Sequence, residues 1–359
     1  MNMNRTVELG TLISPAKTVR CGKGNYPVLS MTMHNGLVFQ DEKFKKVIAS
    51  KDTSDYKVVY RNQLVISFPI DEGVLAAQRI TDAGIVSPAY GIWDIDQSQI
   101  VPEFLEYALR SNRAIQYYKA KLRGSTARRR SLPTPNLLAF TVPLFNIDVQ
   151  HKILDKIHRV QAIIDKHETQ LQKLDDLIKA RFVEMFGDID EYCNVGYYIK
   201  ALVAGKSLAG EEECENKVLK TGAASFDYFD ATQIKNLPLD YIPQHEHLVN
   251  VGDIIISRMN TAELTGAAAY VWDVPENIYL PDRLWKAVLQ DDCNPIFVWQ
   301  MLIQPSTKEQ IRCECSGTSG SMKNISKPGM LAIKVKKVPV AMQNQFAAFV
   351  TQVDKSKVA

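Results

Sequence analysis

A long amphipathic helix is the strongest constraint on how this 359-residue chain folds. Between Asp148 and Gly187 there is no proline or glycine, and apolar residues recur every seven positions with others between them. This heptad spacing predicts a coiled-coil helix roughly 60 Å long, at ~1.5 Å per residue. A lone helix cannot bury such a seam, so it requires a second helix. The predicted seam residues are Ile153, Ile157, Val160, Ile164, Leu171, Leu174 and Ile178.

The partner helix is expected at the end of the chain. The segment Gln343–Val353 repeats the residue pattern of Gln150–Val160. We therefore predict an antiparallel pair in which the second helix lies against Leu171, Leu174 and Ile178. Its seam residues are Phe346, Val350 and Val353.

The regions that precede the two helices also repeat. Both alternate short β-rich runs with turns and then show helical spacing, which is typical of an α+β fold. We predict two similar domains in tandem, each followed by a helix, with pseudo-two-fold symmetry between them. The predicted segments are 1–145, 146–188, 189–340 and a shortened helix at 341–359. The matching stretches are Leu64–Ser67 with Ile254–Ser257, Pro102–Leu109 with Pro295–Leu302, and Gly124–Arg130 with Gly317–Lys323.

Composition restricts the function classes. The net charge is only +3, from 43 Lys and Arg against 40 Asp and Glu, so any nucleic-acid surface must be local. The chain lacks an apolar stretch of membrane-spanning length and a signal peptide, and its six cysteines are scattered. We therefore expect a cytoplasmic protein that does not bind a membrane. The spacing of Cys313 and Cys315 does not fit a zinc site, and no metal is expected.

Three short motifs resemble enzyme signatures but are incomplete. The run Asn294-Pro-Ile-Phe297 lacks the second proline of the adenine methyltransferase motif and more simply opens a helix. Gly205-Lys206-Ser207 lacks the earlier glycine of a phosphate-binding loop. Pro281-Asp282 is not followed by the Glu-x-Lys of common nucleases. No catalytic residue is predicted.

Candidate DNA contacts lie in the two repeated turns and beside two strands of the second domain. Hydroxyl groups and cations contact phosphates, arginine can also read guanine, and asparagine suits adenine. The alternatives stay open: a charged turn is often simply solvated, Asn260 can serve a turn, and Trp285 can belong to the core. The predicted contacts are Ser125, Thr126, Arg128, Arg129, Arg130, Arg258, Asn260, Arg283, Lys286, Ser319, Ser321 and Lys323.

Taken together, these features resemble the specificity subunit of type I restriction-modification systems. The resemblance covers nearly the whole chain and depends on the repeat, the helix ending Phe182–Asp188 and the glycine-rich turns. Val142-Pro143 and Val338-Pro339, which lead into the helices, also carry it. The resemblance implies a non-catalytic subunit whose two target-recognition domains each read half of a bipartite duplex DNA site.

The same resemblance implies partners and cofactors. Two methyltransferase subunits and restriction or translocase subunits are expected to join the chain. S-adenosylmethionine, ATP and Mg²⁺ would bind those partners and not this chain. The match of the second helix ends at Ala359, which is expected to leave Ile153, Ile157, Val160 and Ile164 without a partner within the chain. We expect another protomer or the methyltransferase to cover them.

A second hypothesis comes from another functional class. The same pattern also fits a coiled-coil scaffold that joins two protein-binding domains without touching DNA. Salt-dependent binding to duplex DNA separates the two hypotheses, because phosphate contacts weaken steeply with added salt.

Overall fold

The structure, a computed structural model, describes residues 5–33, 35–43, 52–67, 70–122, 132–317 and 322–358. The chain divides into two compact units, Met1–Asp165 and Lys166–Ala359. The boundary falls inside a helix that runs from Ile147 to Phe186, which confirms the long helix that the heptad spacing predicts. Among the described helices, none combines the length and apolar character that crossing a membrane requires.

The first unit consists of short strands and helices that turns separate. Its strands are β1 (Arg5–Glu8), β2 (Ile13–Pro15), β3 (Leu29–Thr32), β4 (Gly36–Phe39), β5 (Lys57–Tyr60), β6 (Leu64–Ile66), β7 (Leu75–Ala77), β8 (Ala83–Val86), β9 (Gly91–Ile95) and β10 (Thr141–Leu144). Its helices are α1 (Gln40–Lys43), α2 (Pro102–Leu109), α3 (Asn112–Lys121), α4 (Thr134–Leu138) and the start of α5 (Ile147–Phe186).

The second unit contains the end of α5 and a similar succession of elements. Its strands are β11 (Tyr192–Asn194), β12 (Ile199–Val203), β13 (Lys217–Leu219), β14 (Ile234–Asn236), β15 (Ile254–Ser257), β16 (Met259–Asn260), β17 (Ala268–Tyr270), β18 (Ile278–Tyr279), β19 (Leu284–Leu289), β20 (Lys323–Asn324) and β21 (Lys334–Lys336). Its other helices are α6 (Pro295–Leu302), α7 (Pro305–Glu314), α8 (Lys327–Ala332) and α9 (Val340–Val358).

The two units repeat one sheet topology. The order β2-β9-β6-β7 in the first unit corresponds to β12-β19-β15-β17 in the second. Each unit also pairs its first strand antiparallel with its last, β1 with β10 and β11 with β21. The backbone N–H of Leu9 donates to Phe140 O (2.7 Å), and that of Val195 donates to Ile333 O (2.8 Å). The α+β class is confirmed, and this shared topology agrees with the predicted tandem repeat.

A buried glutamine binds each globular region to the helix that follows it. In the first unit, the Gln150 side-chain oxygen accepts from the backbone N–H of Val101 at 2.8 Å. In the second, Gln343 accepts from Asn294 N at 3.0 Å and donates to Val338 O at 2.8 Å. Both glutamines are at most 2% exposed. Since Val101 and Asn294 directly precede α2 and α6, these amides fix the start of one helix against another.

The Asn294-Pro-Ile-Phe297 run opens α6. The Asn294 side-chain oxygen accepts from the backbone N–H of Ile296 (3.0 Å) and Phe297 (3.3 Å). Pro295 occupies the first helical position, where its missing N–H costs nothing. The residues that resemble a methyltransferase motif therefore cap a helix, as their spacing suggests.

The helix α9 packs against the second half of α5 within the second unit. The Phe346 ring lies 5.4 Å from the rings of both Phe182 and Phe186, measured between centroids. Near the other end, Lys357 forms a 2.7 Å ion pair with Asp175. Later residues of α9 therefore contact earlier residues of α5. The two helices run antiparallel, as predicted.

The register of this pair differs from the prediction by about one heptad. Phe346 was expected near Ile178 and instead reaches Phe182 and Phe186. Leu171 is 41% exposed and lines a cleft together with Asp354 and Lys357 of α9, so its predicted burial in the helix pair is not complete. Burial of the large rings explains the shift: Phe182 and Phe186 belong to the core of the second unit, and Phe346 gains more contact there.

The first half of α5 is only partly covered by its own unit. Ile153 packs against the core beside the buried Leu154, so the expectation that Ile153 has no partner within the chain is wrong. One turn further on, His158 Nε2 lies 2.9 Å from Glu103 Oε1. Val160 (57%) and Ile164 (45%) are exposed, as expected. Ile157 is half-buried, and Ile163 adds to the exposed apolar stripe.

We predict that Gln343→Ala lowers the free energy of unfolding by about 2 kcal/mol, because it leaves the backbone groups of Asn294 and Val338 buried without partners. Urea unfolding of the full chain measures this loss. Gln345→Ala is the matched control, since Gln345 is exposed on the same helix. Equal midpoints for the two variants would contradict the role given to the buried amide.

Two valines test the extent of the helix pair. Val350 is 1% exposed in the contact with α5, whereas Val160 is 57% exposed. Val350→Ala should cost about 2 kcal/mol more than Val160→Ala, from lost apolar burial and the cavity left behind. The gain in helix propensity is the same for both substitutions and cancels in the comparison. Thermal unfolding that ranks them alike would refute the observed pairing.

Candidate nucleic-acid interface

The predicted DNA contacts fall into two groups. Those in the repeated glycine-rich turns mostly lie outside the described residues: Ser125, Thr126, Arg128, Arg129, Arg130, Ser319 and Ser321. The described ones all lie in the second unit: Arg258, Asn260, Arg283, Lys286 and Lys323. The candidate interface that the structure describes therefore lies in the second unit.

A short antiparallel ladder brings distant candidates together. Strand β16 pairs with β20, so that Asn260 lies opposite Lys323 and Met259 opposite Asn324. The backbone N–H of Asn324 also donates to Ser316 O at 3.0 Å. Residues far apart in sequence thus become neighbours on one edge of the unit.

Arg258 connects this ladder to strand β19. Its backbone N–H donates to Arg283 O at 3.1 Å, and its carbonyl accepts from Ile325 N at 3.2 Å. Arg283 is exposed at the start of β19, whereas Arg258 is half-buried. The structure therefore gathers four of the five described candidates: Arg258, Asn260, Arg283 and Lys323.

The Arg258 guanidinium has a defined orientation. Its Nε donates to the side-chain oxygen of Asn324 at 3.3 Å, and its Cζ lies 5.8 Å from the ring centroid of the buried Trp285. A long contact of 3.5 Å joins Nη1 to Asp282 O. These neighbours restrain the planar group through Nε, Nη1 and the Trp285 ring, so that the guanidinium is held in one orientation. Trp285 is buried in the core, which was one of the two alternatives that the sequence left open for it.

The amide of Asn260 is already engaged. Its Nδ2 donates to Ser225 Oγ at 3.1 Å, with a longer 3.5 Å contact to Ser257 Oγ, and its Oδ1 accepts from Thr261 N at 2.9 Å. A contact between this amide and adenine would have to replace these bonds. The turn role of Asn260 is therefore present in the structure, and its contact with a base stays a prediction.

Lys286 differs from the other candidates. Its side chain is 13% exposed, and its ammonium donates to Leu248 O at 2.6 Å and lies 3.6 Å from Asp253 Oδ2. Burial raises the pKa of the Asp253 carboxyl, although Asn250 N–H and Lys286 act in the opposite direction. Lys286 therefore forms an internal ion pair and is not part of the candidate interface.

A turn missed by the sequence analysis adjoins Arg258 and Arg283. Gly205 N–H donates to Pro281 O at 3.0 Å, and Asp282 N–H donates to Ser207 Oγ at 3.2 Å. A Cβ at position 205 would lie only 1.9 Å from Leu280 O, so glycine permits this close approach. The two incomplete enzyme motifs therefore meet each other and carry the exposed Lys206 to the same edge.

The cations of this edge lack acidic partners. Among the described residues, Lys206, Arg258, Arg283 and Lys323 form no salt bridge with a carboxylate. Lys323 donates to Gly317 O at 2.7 Å. The edge thus carries local positive charge, although the chain as a whole is nearly neutral. No group of three or more metal-ligating side chains gathers in the described part of the chain.

Comparison with known proteins agrees with this architecture. The chain is 25% identical over 159 residues to the specificity subunit of the type I restriction enzyme EcoEI from Escherichia coli. A crystal structure of a type I restriction-modification S subunit from M. genitalium matches with a TM-score of 0.52 at 14% identity. That match covers 99% of this chain and 90% of the other. The chain has the fold of type I specificity subunits.

A second structure supports the same fold. It comes from work on complex assembly and conformational transition of the type I restriction-modification system, and its TM-score is 0.55 at 14% identity over 99% of this chain and 90% of that one. The resemblance to type I specificity subunits found in the sequence is confirmed. The EcoEI match spans 43% of this chain and only 27% of that protein. No family model matches the chain.

We expect Lys286 to contribute to the stability of the fold and Arg283 to contribute little to it. Lys286→Met should lower the free energy of unfolding by about 1–3 kcal/mol at pH 7, because it leaves Leu248 O and the Asp253 carboxylate without their cation. Arg283→Ala should change it by less than about 0.5 kcal/mol, as expected for an exposed side chain. Chemical denaturation of the two variants measures both values.

The loss in Lys286→Met is expected to depend on pH. Burial already raises the pKa of the Asp253 carboxyl, and removal of Lys286 raises it further. A raised folded-state pKa favours folding at low pH and loses that contribution as the pH rises through it. The destabilisation should therefore shrink as the pH falls. A loss that stays constant with pH would exclude this ion pair as its cause.

Proposed function

We propose that this chain is the non-catalytic DNA-recognition subunit of a type I restriction-modification complex. In this proposal it binds a bipartite duplex DNA site and directs methyltransferase and nuclease subunits for adenine methylation or restriction. The observation that carries the proposal is the repeated fold, one copy of which places several cations along the edge formed by β16, β20 and the start of β19. A repeated reading unit suits a target made of two half-sites.

Charge and shape support DNA as the ligand of this edge. Arg283 and Lys206 are exposed cations that form no salt bridge within the described part of the chain, which suits contact with phosphates. Asn324, Asp282 and the Trp285 ring hold the Arg258 guanidinium in one orientation. We assign it to a base edge in the major groove, where arginine pairs bidentately with guanine.

The proposed partners supply the chemistry. We place S-adenosylmethionine, ATP and Mg²⁺ on the methyltransferase and restriction subunits, and none of them on this chain. The exposed stripe Val160, Ile163 and Ile164 on α5 is proposed as a docking surface within the assembled complex. A methyltransferase subunit or a second protomer would cover it. A cytoplasmic location follows from the proposed work on DNA.

The salt dependence of DNA binding tests the proposal. The chain reconstituted with its methyltransferase should bind its target duplex with an affinity that falls steeply with salt, by a slope of about 0.9 per phosphate contact. Arg283→Ala should reduce that slope by about one contact. Lys200→Ala is the matched control, because Lys200 is an exposed cation on β12, which pairs with the opposite end of β19.

Sequencing of the methylated genome adds an independent readout. The proposal expects methylated adenines within an interrupted two-part site, and relaxed discrimination at one position of one part in Arg258→Ala. A reconstituted complex that contains the chain but does not bind DNA would favour the scaffold hypothesis. Mass photometry establishes beforehand that the complex has formed, with two methyltransferase copies expected.

A further inference from the structure

Two aromatic rings project from a short loop beside the candidate interface. Phe226 is 63% exposed and Tyr228 is 58% exposed, among the most exposed large side chains of the described chain. Their ring centroids lie 6.3 Å apart, and the ring planes differ by 21°. A planar group can therefore lie parallel to both rings at once. Exposed aromatic pairs of this kind cost solubility and usually mark a binding surface.

The loop that carries the rings is held firmly. Asp230 N–H donates to Ala223 O at 2.9 Å and closes the loop at its base. Asp227, between the two rings, adopts a positive φ of 64°. Its carboxylate accepts from Ala268 N at 3.2 Å and forms an ion pair with Lys308. The middle residue is thus turned toward the protein while its neighbours project outward.

The loop adjoins the cationic edge directly. Ser225 precedes Phe226, and its Oγ accepts from the Asn260 amide at 3.1 Å. Asn260 in turn lies opposite Lys323 in the β16–β20 ladder. Lys323, Asn260 and Ser225 thus connect the cationic edge to the loop that carries the rings. Cations beside exposed aromatic rings are the usual means by which proteins hold nucleotides out of a base stack.

We infer that Phe226 and Tyr228 form a stacking site for an unstacked base of the bound duplex, which lets the second unit distort its half-site as it reads it. The inference rests on the proposed function. Stacking on a base is worth ~1–3 kcal/mol and offsets the cost of opening one base step. The two rings would thus let the second unit recognise how easily the half-site deforms, in addition to contacting its bases directly.

A protein partner is the competing occupant of the rings. The same rings line a cleft of about 490 Å³ whose opposite side is formed by α5 and α9. On that side Lys357 lies between two carboxylates, Asp175 at 2.7 Å and Asp354 at 3.4 Å, so negative charge exceeds positive among these residues. The ladder cations have no such partners among the described residues. Charge complementarity therefore favours DNA, a polyanion, as the occupant of the rings. Binding of a protein there is an alternative outcome of the test.

The experiment uses the complete complex and its target duplex, with 2-aminopurine placed in turn at each position of the half-site read by the second unit. Fluorescence should rise several-fold at one position other than the adenine that the methyltransferase takes out of the stack, because leaving the base stack relieves quenching of the probe. The double variant Phe226→Ala, Tyr228→Ala should lose this rise and bind about tenfold more weakly, with the salt slope unchanged. Phe226→Tyr should retain both properties.

Tyr192→Ala provides the control, since Tyr192 is another exposed ring, 58% accessible, and lies on β11. It should leave both signals unchanged. Because Phe226 and Tyr228 are exposed, their removal should also leave the thermal midpoint unchanged, so that unfolding is excluded as a cause.

Two results would overturn the inference. Wild-type affinity and an unchanged fluorescence profile in the double variant would remove the stacking role while the proposed function stands. Loss of methyltransferase binding in mass photometry, with the DNA signals retained by the complexes that do form, would assign the rings to a protein contact. A wild-type complex that does not bind DNA at all refutes the proposed function itself.

Discussion

Each connecting helix depends on one buried side-chain amide. Gln150 and Gln343 satisfy backbone groups at the start of α2 and α6, and at most 2% of either residue reaches solvent. Such groups are expensive to bury without a partner, so a glutamine at this position holds the globular region and its helix in one arrangement. The same solution occurs in both units. In each unit, the hydrogen bonds of one glutamine therefore connect the globular region to the helix that follows it.

The second unit uses strand pairing to assemble its candidate interface. The β16–β20 ladder and the bond from Arg258 to Arg283 bring cations from separate segments to one edge. None of these residues has a strong signature by itself, and the net charge of +3 gives little indication of a nucleic-acid surface. Local concentration of charge, and the absence of acidic partners among the described residues, carry the proposed DNA contact. The aromatic loop beside it extends the same edge from electrostatic contact to stacking.

Several sequence predictions failed for identifiable physical reasons. The register of α9 was taken from the heptad repeat, which is unchanged by a shift of seven residues, and the buried rings Phe182 and Phe186 decided between the alternatives. Lys286 was predicted as a DNA contact, and the structure gives its ammonium two internal partners, Leu248 O and the Asp253 carboxylate. Alternation along β19 does not predict this, because Leu284 and Trp285 are both buried although they lie on opposite faces of the strand. Ile153 was expected to be unpartnered because only a helix was considered as its cover, whereas a globular core covers it.

The sequence by itself determined the long helix, the α+β class, the internal repeat and the resemblance to type I specificity subunits. These depend on spacing and residue type, which local physics converts into structure with little help from distant residues. Only the tertiary structure decided which side chains meet. Lys206, Asn260, Arg283 and the Phe226–Tyr228 pair come from different segments, and their proximity depends on strand register, a tight glycine approach and the anchoring of Asp227. Such long-range pairings follow from the packing of the whole unit, so no local pattern encodes them.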